Sequence, residues 1–384
     1  MTPARLHRLE ALLAQPAAPF HEDRVAAHAA AGLSALGVPW CRDDHGNLLV
    51  GVRSLRHYHQ RLRERGSPLR LFIAHMDHPG FQGRRWLAAR RLAVRWLGGG
   101  PCQGLEDTRV WLAAGGEGPI AGRLQRPRAA ARGLGLASAE ILLDAPWPGR
   151  RPAAKRCYGG FDFDPPVRRR GQRLYTRAAD DLVGVFAILE LARELRRRPG
   201  LPFLGLLTRA EEVGFVGALA HLQDGHLDRA RRPVVCISLE ASRHLPGARL
   251  GRGPVVRLGD YRGVFDPHAL KVLSDLARRV LPGGHQRRIM DGGTCEASAT
   301  LAFGLPTVGL SIPLGNYHNQ PLDTPARTGA APECVHLADV DRLLTLCRAL
   351  VRRDLPWQDP WRDDRRRLLQ SAARYRGLLA RPPA

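Results

Sequence analysis

The residue types that hold a divalent cation and move a proton recur at a few marked places in this 384-residue chain. They are His75 and Asp77, Asp180, the pair Glu211-Glu212, Glu240 and His318. Four apolar stretches run into them. Leu69 to Ala74 leads to His75-Met76-Asp77, Leu204 to Ala210 to Glu211-Glu212, Val234 to Leu239 to Glu240, and Thr307 to Pro313 to Tyr317-His318. Short apolar runs bounded by turn residues read as strands buried on both faces, and an open α/β sheet keeps its ligands beyond the carboxyl ends of its strands. Hydrolysis at neutral pH needs an activated water. A pair of divalent metals supplies it if the protein offers a bridging carboxylate, terminal His or carboxylate ligands, and a free base. His75, Asp180, Glu212, Glu240 and His318 are the candidate ligands, and Glu211 is the candidate base. Asp77, two residues after His75, is placed to orient its imidazole. Histidine and carboxylate ligands without cysteine suit zinc, with cobalt or manganese as alternatives.

Each residue has a plainer reading. His75 alone is as well explained as a hydrogen-bonded core histidine, and Asp180 alone as the N-cap of the helix that follows. Glu211-Glu212 and His318 taken singly are surface loop residues, Glu240 a cap and Asp77 a turn residue. Their joint placement at segment ends of one α/β pattern favours the site. Gly292-Gly293-Thr294 reads either as a carboxylate-binding turn or, more simply, as a helix entry.

The elements that must position these residues follow from the pattern. Residues 3 to 36 give two amphipathic helices and Leu48 to Val52 a strand, with residues 53 to 68 a charged loop. From Gln82 to Thr176 the chain breaks into short strand-like pieces between Gly/Pro turns. These predict a small β-rich domain, residues 83–176, inserted into an α/β catalytic domain formed by 1–82 and 177–384. Asp180-Asp181 opens the strongest helix, closed by Arg196-Arg197-Arg198 and Pro199-Gly200. Further helices are expected at 217–223, 266–280, 295–303 and 338–353, and an arginine-rich helix and tail at 361–384.

The formal net charge of +23 comes almost wholly from arginine, since Lys155 and Lys271 are the only lysines. The arginines are dispersed, and no aromatic-interleaved basic motif accompanies them, so no specific nucleic-acid partner is expected. No run of about 18 apolar residues is present, so no membrane span is expected, and Met1 to Leu13 lacks the apolar core of a secretory signal. Seven scattered cysteines fit reduced thiols and a cytoplasmic setting.

Ala74-His75-Met76-Asp77-His78-Pro79-Gly80-Phe81 resembles the His-x-Asp segment of the co-catalytic dinuclear-zinc exopeptidases, the clan of glutamyl, leucyl and tetrahedral aminopeptidases, zinc carboxypeptidases and aminoacylases. Ala179 to Val185 resembles their bridging-Asp segment, Thr208 to Ala218 their Glu-Glu segment, and Gly315 to Asn319 their final ligand. The likeness covers most of the chain outside the insertion and is nearest to the tetrahedral aminopeptidase branch. Departures are His78-Pro79 in place of Glu-Ile or Glu-Val, Glu240 in place of Asp, and Cys295-Glu296 after the Gly-Gly-Thr turn. The resemblance implies a mixed-sheet α/β/α catalytic domain and two metals. His75 and Glu240 would hold one, Glu212 and His318 the other, with Asp180 between them and a cis peptide after it. Glu211 would take a proton from the attacking water and pass it to the leaving amine. It also implies an aminopeptidase acting on short peptides in a homo-oligomer, with a carboxypeptidase or deacylase acting on peptides or acylated amino acids as the alternative.

Overall fold

The computed structural model describes residues 1–115, 118–131, 135–198, 200–323 and 328–380. A nine-stranded mixed sheet forms its centre. Strand Leu69–His75 lies in the middle, parallel to Phe203–Thr208 on one side and to Val234–Arg243 on the other. Thr307–Leu314 pairs parallel with Val234–Arg243 in turn. Leu48–Val50 and Val255–Asp260 join antiparallel towards the two edges.

Side chains of a strand alternate between faces, and the central strand feeds two cores this way. Phe72 and Ala74 pack into the larger one, beneath helices Pro3–Leu13, Asp23–Ala35, Leu182–Leu195, Pro267–Val280 and Leu337–Leu350. Leu69, Leu71 and Ile73 pack into the other, with Tyr58 and Leu62 of helix Leu55–Arg63 and Leu222 of helix Val216–Gln223. The molecule is thus an α/β/α sandwich. Helix Leu55–Arg63 lies in the stretch that its charge marks as a loop. Ser54 caps it by accepting from the His57 N–H at 3.1 Å, and only Tyr58 and Leu62 of its nine residues are buried. Two apolar positions one turn apart are too thin a stripe to signal a helix.

Six strands from Gly80–Ala88 to Cys157–Phe161 close into a barrel, filled by its own cluster around Phe81, Trp96, Ile141 and Phe161. Strands Val167–Arg170 and Arg173–Thr176 instead join Glu333–His336 in a three-stranded sheet. The stretch 83–176 therefore contributes to two sheets.

Because Phe72 is fully buried on the central strand, Phe72→Ala is expected to cost about 3–5 kcal/mol. A urea unfolding midpoint shifted accordingly checks this, and an unchanged midpoint would contradict the packing described.

Candidate metal centre

The parallel register aligns the carboxyl ends of the strands. Thr208 pairs with His75, and Ser238 pairs with Ile73, which sets Glu240 level with His75 two residues on. Asp180 arrives from the start of helix Leu182–Leu195. Its neighbour does the capping: Asp181 Oδ1 accepts from the Gly184 N–H at 3.0 Å. The carboxylate of Asp180 is left to face the centre. The Asp180–Asp181 peptide is cis.

The side chains converge. His75 Nε2 lies 3.6 Å from Asp180 Oδ1, and His318 Nε2 lies 3.5 Å from Asp180 Oδ2. One carboxylate thus presents an oxygen to each imidazole. His318 Nε2 is also 3.2 Å from Glu212 Oε1, and His75 Nε2 is 3.9 Å from Glu211 Oε2. His75, Asp180 and Glu240 each bring one ligand atom within 4.8 Å of the others, as do Asp180, Glu212 and His318. All the residues singled out in the sequence meet in one place.

Asp77 acts on two elements at once. Its carboxylate accepts from the backbone N–H of Glu211 at 3.0 Å and of Glu212 at 3.2 Å, while Oδ1 stands 3.6 Å from His75 Nδ1. The His75 ring is closer to the Asp77 carbonyl oxygen, at 3.1 Å. The Glu-Glu turn is entered through Ala210 at φ 52°, a left-handed conformation that costs a non-glycine residue energy. Glu22, fully buried, holds that turn by accepting from the Ala210 N–H at 3.0 Å and from Arg209 Nε at 2.8 Å.

Two further side chains hold the candidate ligands and escape a reading from sequence. Glu333 Oε2 accepts from the N–H groups of Ala179 at 2.6 Å and Asp180 at 3.2 Å, and its Oε1 accepts from that of His318 at 2.8 Å. It ties two distant ligand segments together. His78 lies 2.9 Å from the Asp180 carbonyl and 3.2 Å from the Asn319 side chain. The only local hint of Glu333 is an acid opening the short run Cys334-Val335; for His78 it is proximity to His75.

Electrostatically the centre has an excess of carboxylates. Burial raises Glu211 well above the usual carboxyl range, and the charges of Glu212 and Glu240 add to the shift, against the pull of His75. Burial pushes Glu240 up to about 7 against Arg257 and His75, and Glu296 up to about 8 against His75. Burial opposes a charged imidazole, yet Glu212 and Asp180 hold His318 up at about 10; Glu211, Asp180 and Asp77 raise His75 well above the ordinary histidine value. The residues fit divalent cations by a direct sign: Asp180 Oδ1 and Glu212 Oε1 are buried and accept no hydrogen bond, an arrangement that costs free energy unless something positive meets them. Beside these residues opens a cavity of about 480 Å³ lined by Asp180, Glu240, Arg243, Arg257, Arg288 and the Asp291–Thr294 turn.

Solved structures share this fold. An aminopeptidase from the archaeon Desulfurococcus kamchatkensis superposes with a TM-score of 0.72 at 22% identity, covering 92% of this chain and 96% of its own. The TET1 peptidase of Pyrococcus horikoshii gives 0.70 at 21% identity, covering 90% and 99%. A TET aminopeptidase from a marine-sediment thaumarchaeote gives 0.70 at 18%, covering 92% and 98%. Among the described residues no helix is long and apolar enough to cross a membrane. The family model of the M42 glutamyl aminopeptidases matches residues 59–322, well over half of the sequence, and the chain is a metallopeptidase belonging to that family.

Proposed function

We propose that this aminopeptidase works through two divalent cations, zinc first with cobalt or manganese as alternatives, held by His75, Asp180, Glu212, Glu240 and His318. The observation that carries the proposal is the Asp180 carboxylate, with one oxygen toward each of the two imidazoles. Such cations, when bound, polarise the scissile carbonyl and lower the pKa of the attacking water. Glu211 is the proton carrier. A carboxyl raised by burial among other acids is suited to accept a proton from water and release it to the leaving amine. Asp77 fixes the backbone of that base and crowds the His75 ring, so it serves as a positioning residue.

The substrates we infer are short peptides with a free N-terminus and a preference for an acidic first residue. Arg243, Arg257 and Arg288 line the cavity next to Asp180 and Glu240, and the buried Nε of Arg257 has no partner, so a substrate carboxylate there would be met by charge-assisted hydrogen bonds. The family's description as glutamyl aminopeptidases points the same way. The Pyrococcus horikoshii TET1 peptidase assembles into a tetrahedron or a large octahedral shell. By analogy we place this chain in a cytoplasmic homo-oligomer, with the barrel-containing insertion, residues 83–176, as the unit that contributes to assembly.

A panel of peptides tests the substrate reading. Glutamyl and aspartyl peptides are expected to give kcat/KM at least 10-fold above leucyl ones, as one well-made carboxylate contact is worth about 1.4 kcal/mol or more, and N-acetylated peptides are expected to be inert. Turnover of N-acetylated but not free peptides would make the chain a deacylase or carboxypeptidase instead.

A further inference from the structure

The turn Gly98–Gly100 leaves the barrel after strand Arg91–Leu97 and is built against the catalytic centre. Gly98 adopts φ +87° and sits on Pro79, where a Cβ would come within 3.1 Å of the proline ring. The Gly99 carbonyl accepts a hydrogen bond from Trp96 Nε1 at 3.0 Å. Gly135, which precedes the neighbouring barrel strand Leu136–Leu143, covers Gly100 closely enough that a Cβ would lie 3.0 Å from its nitrogen. So clamped, the turn presses Gly99 on His318. A Cβ at position 99 would stand 2.6 Å from His318 Nδ1 and 3.3 Å from Cε1. The opposite edge of that ring carries Nε2, the atom facing Asp180 and Glu212, and the ring of Tyr317 stacks on the imidazole at a centroid distance of 3.7 Å. The imidazole is bounded on its face by its own neighbour and on its Nδ1 edge by a segment of the barrel.

We propose that Gly99 is a positioning residue of the metal centre: the barrel turn sets the plane of the His318 imidazole so that Nε2 is presented to Asp180 and Glu212. The inference rests on the ligand role assigned to His318 above. It gives the barrel a part in the chemistry, because a side chain on its turn must displace the ring. Gly99 is outside the left-handed region, so alanine suits its backbone, and the added methyl acts through His318 rather than through backbone strain.

The test is calorimetric titration of the full-length, metal-stripped enzyme with Zn²⁺. Gly99→Ala is expected to weaken one of two binding events about 10- to 100-fold, the range for losing a partner that orients a metal-bound histidine, and to leave the other unchanged. His318→Ala is expected to remove the same event, and Gly99→Ala added to it to cause no further loss, since the two act through one contact. Trp96→Phe, which frees the Gly99 carbonyl without adding bulk, is expected to weaken that event by a smaller factor. Gly118→Ala, where a Cβ meets nothing within 4 Å, is expected to bind as the unaltered enzyme does. Undiminished binding of both cations by Gly99→Ala, beside loss of one by His318→Ala, overturns the inference alone. Retention of both cations by His318→Ala overturns the ligand assignment, and the inference with it.

Discussion

Glu211→Gln is expected to lower kcat by roughly 10²- to 10⁴-fold, the usual contribution of a positioned acid–base group, while cation binding and the unfolding midpoint stay near those of the unaltered enzyme. Glutamine keeps the shape of the side chain and the backbone N–H that Asp77 accepts at 3.0 Å. It removes only the group able to take and give a proton. A base in the role proposed for Glu211 acts on the reacting water rather than on the ground-state substrate alone, so the loss is expected in kcat with KM little changed. Asp77→Asn provides the contrast. Its carboxylate anchors both Glu211 and Glu212, so its substitution disturbs the turn and weakens cation binding together with kcat. A Glu211→Gln enzyme that turns over at the normal rate would locate the proton carrier elsewhere, and Glu296, a buried carboxyl near the same charges, is the next group to replace.

What the sequence makes legible here is the set of residues at strand ends; what it hides is how they are held. His75, Glu212 and Glu240 follow apolar runs, and a parallel sheet brings the ends of such runs together. Asp180 is legible only through its company, since an aspartate before a helix is ordinarily a cap. The structure resolves the pair by giving the cap to Asp181. Glu333 and Glu22 leave no such trace. Their work is done on backbone N–H groups of residues far away in sequence, and a partner defined by backbone atoms leaves no residue-type signature. The strands Val255–Asp260 and Gln286–Met290 are equally silent. Burial runs almost unbroken along the first and alternates over only five residues in the second, and the pairing register between them slips between Arg257 and Gly259. The pairing of Arg173–Thr176 with Glu333–His336, 160 residues away, is likewise a long-range contact that local pattern does not carry.

Stripping the cations is expected to abolish hydrolysis, and also to leave a protein whose stability falls as pH rises from about 4.5 to 8. The sign follows from the groups of the centre. Glu240 and Glu296 sit at about 7 and about 8 in the folded chain because burial disfavours their charge, whereas in the unfolded chain they titrate near 4.3. Over that interval unfolding releases protons, so each step up in pH favours the unfolded state. The part due to these two carboxyls levels off above about 8, after a loss on the order of several kcal/mol. His318, held at about 10, acts in the same direction. Its contribution is complete below the ordinary histidine value and is lost as pH climbs toward 10. Asp180 is shifted downward, so its contribution is lost only in acid, below this window. Cations reverse the balance, because they bind the ionised carboxylates and neutral imidazoles and displace the protons. The gap in Tm between loaded and chelated enzyme should therefore widen steadily between pH 5 and 8. Glu296→Gln removes one of the raised carboxyls and is expected to flatten the pH dependence of the stripped protein. A gap that stays constant over this range, or activity that survives thorough chelation, would mean that these buried acids do not form a cation site.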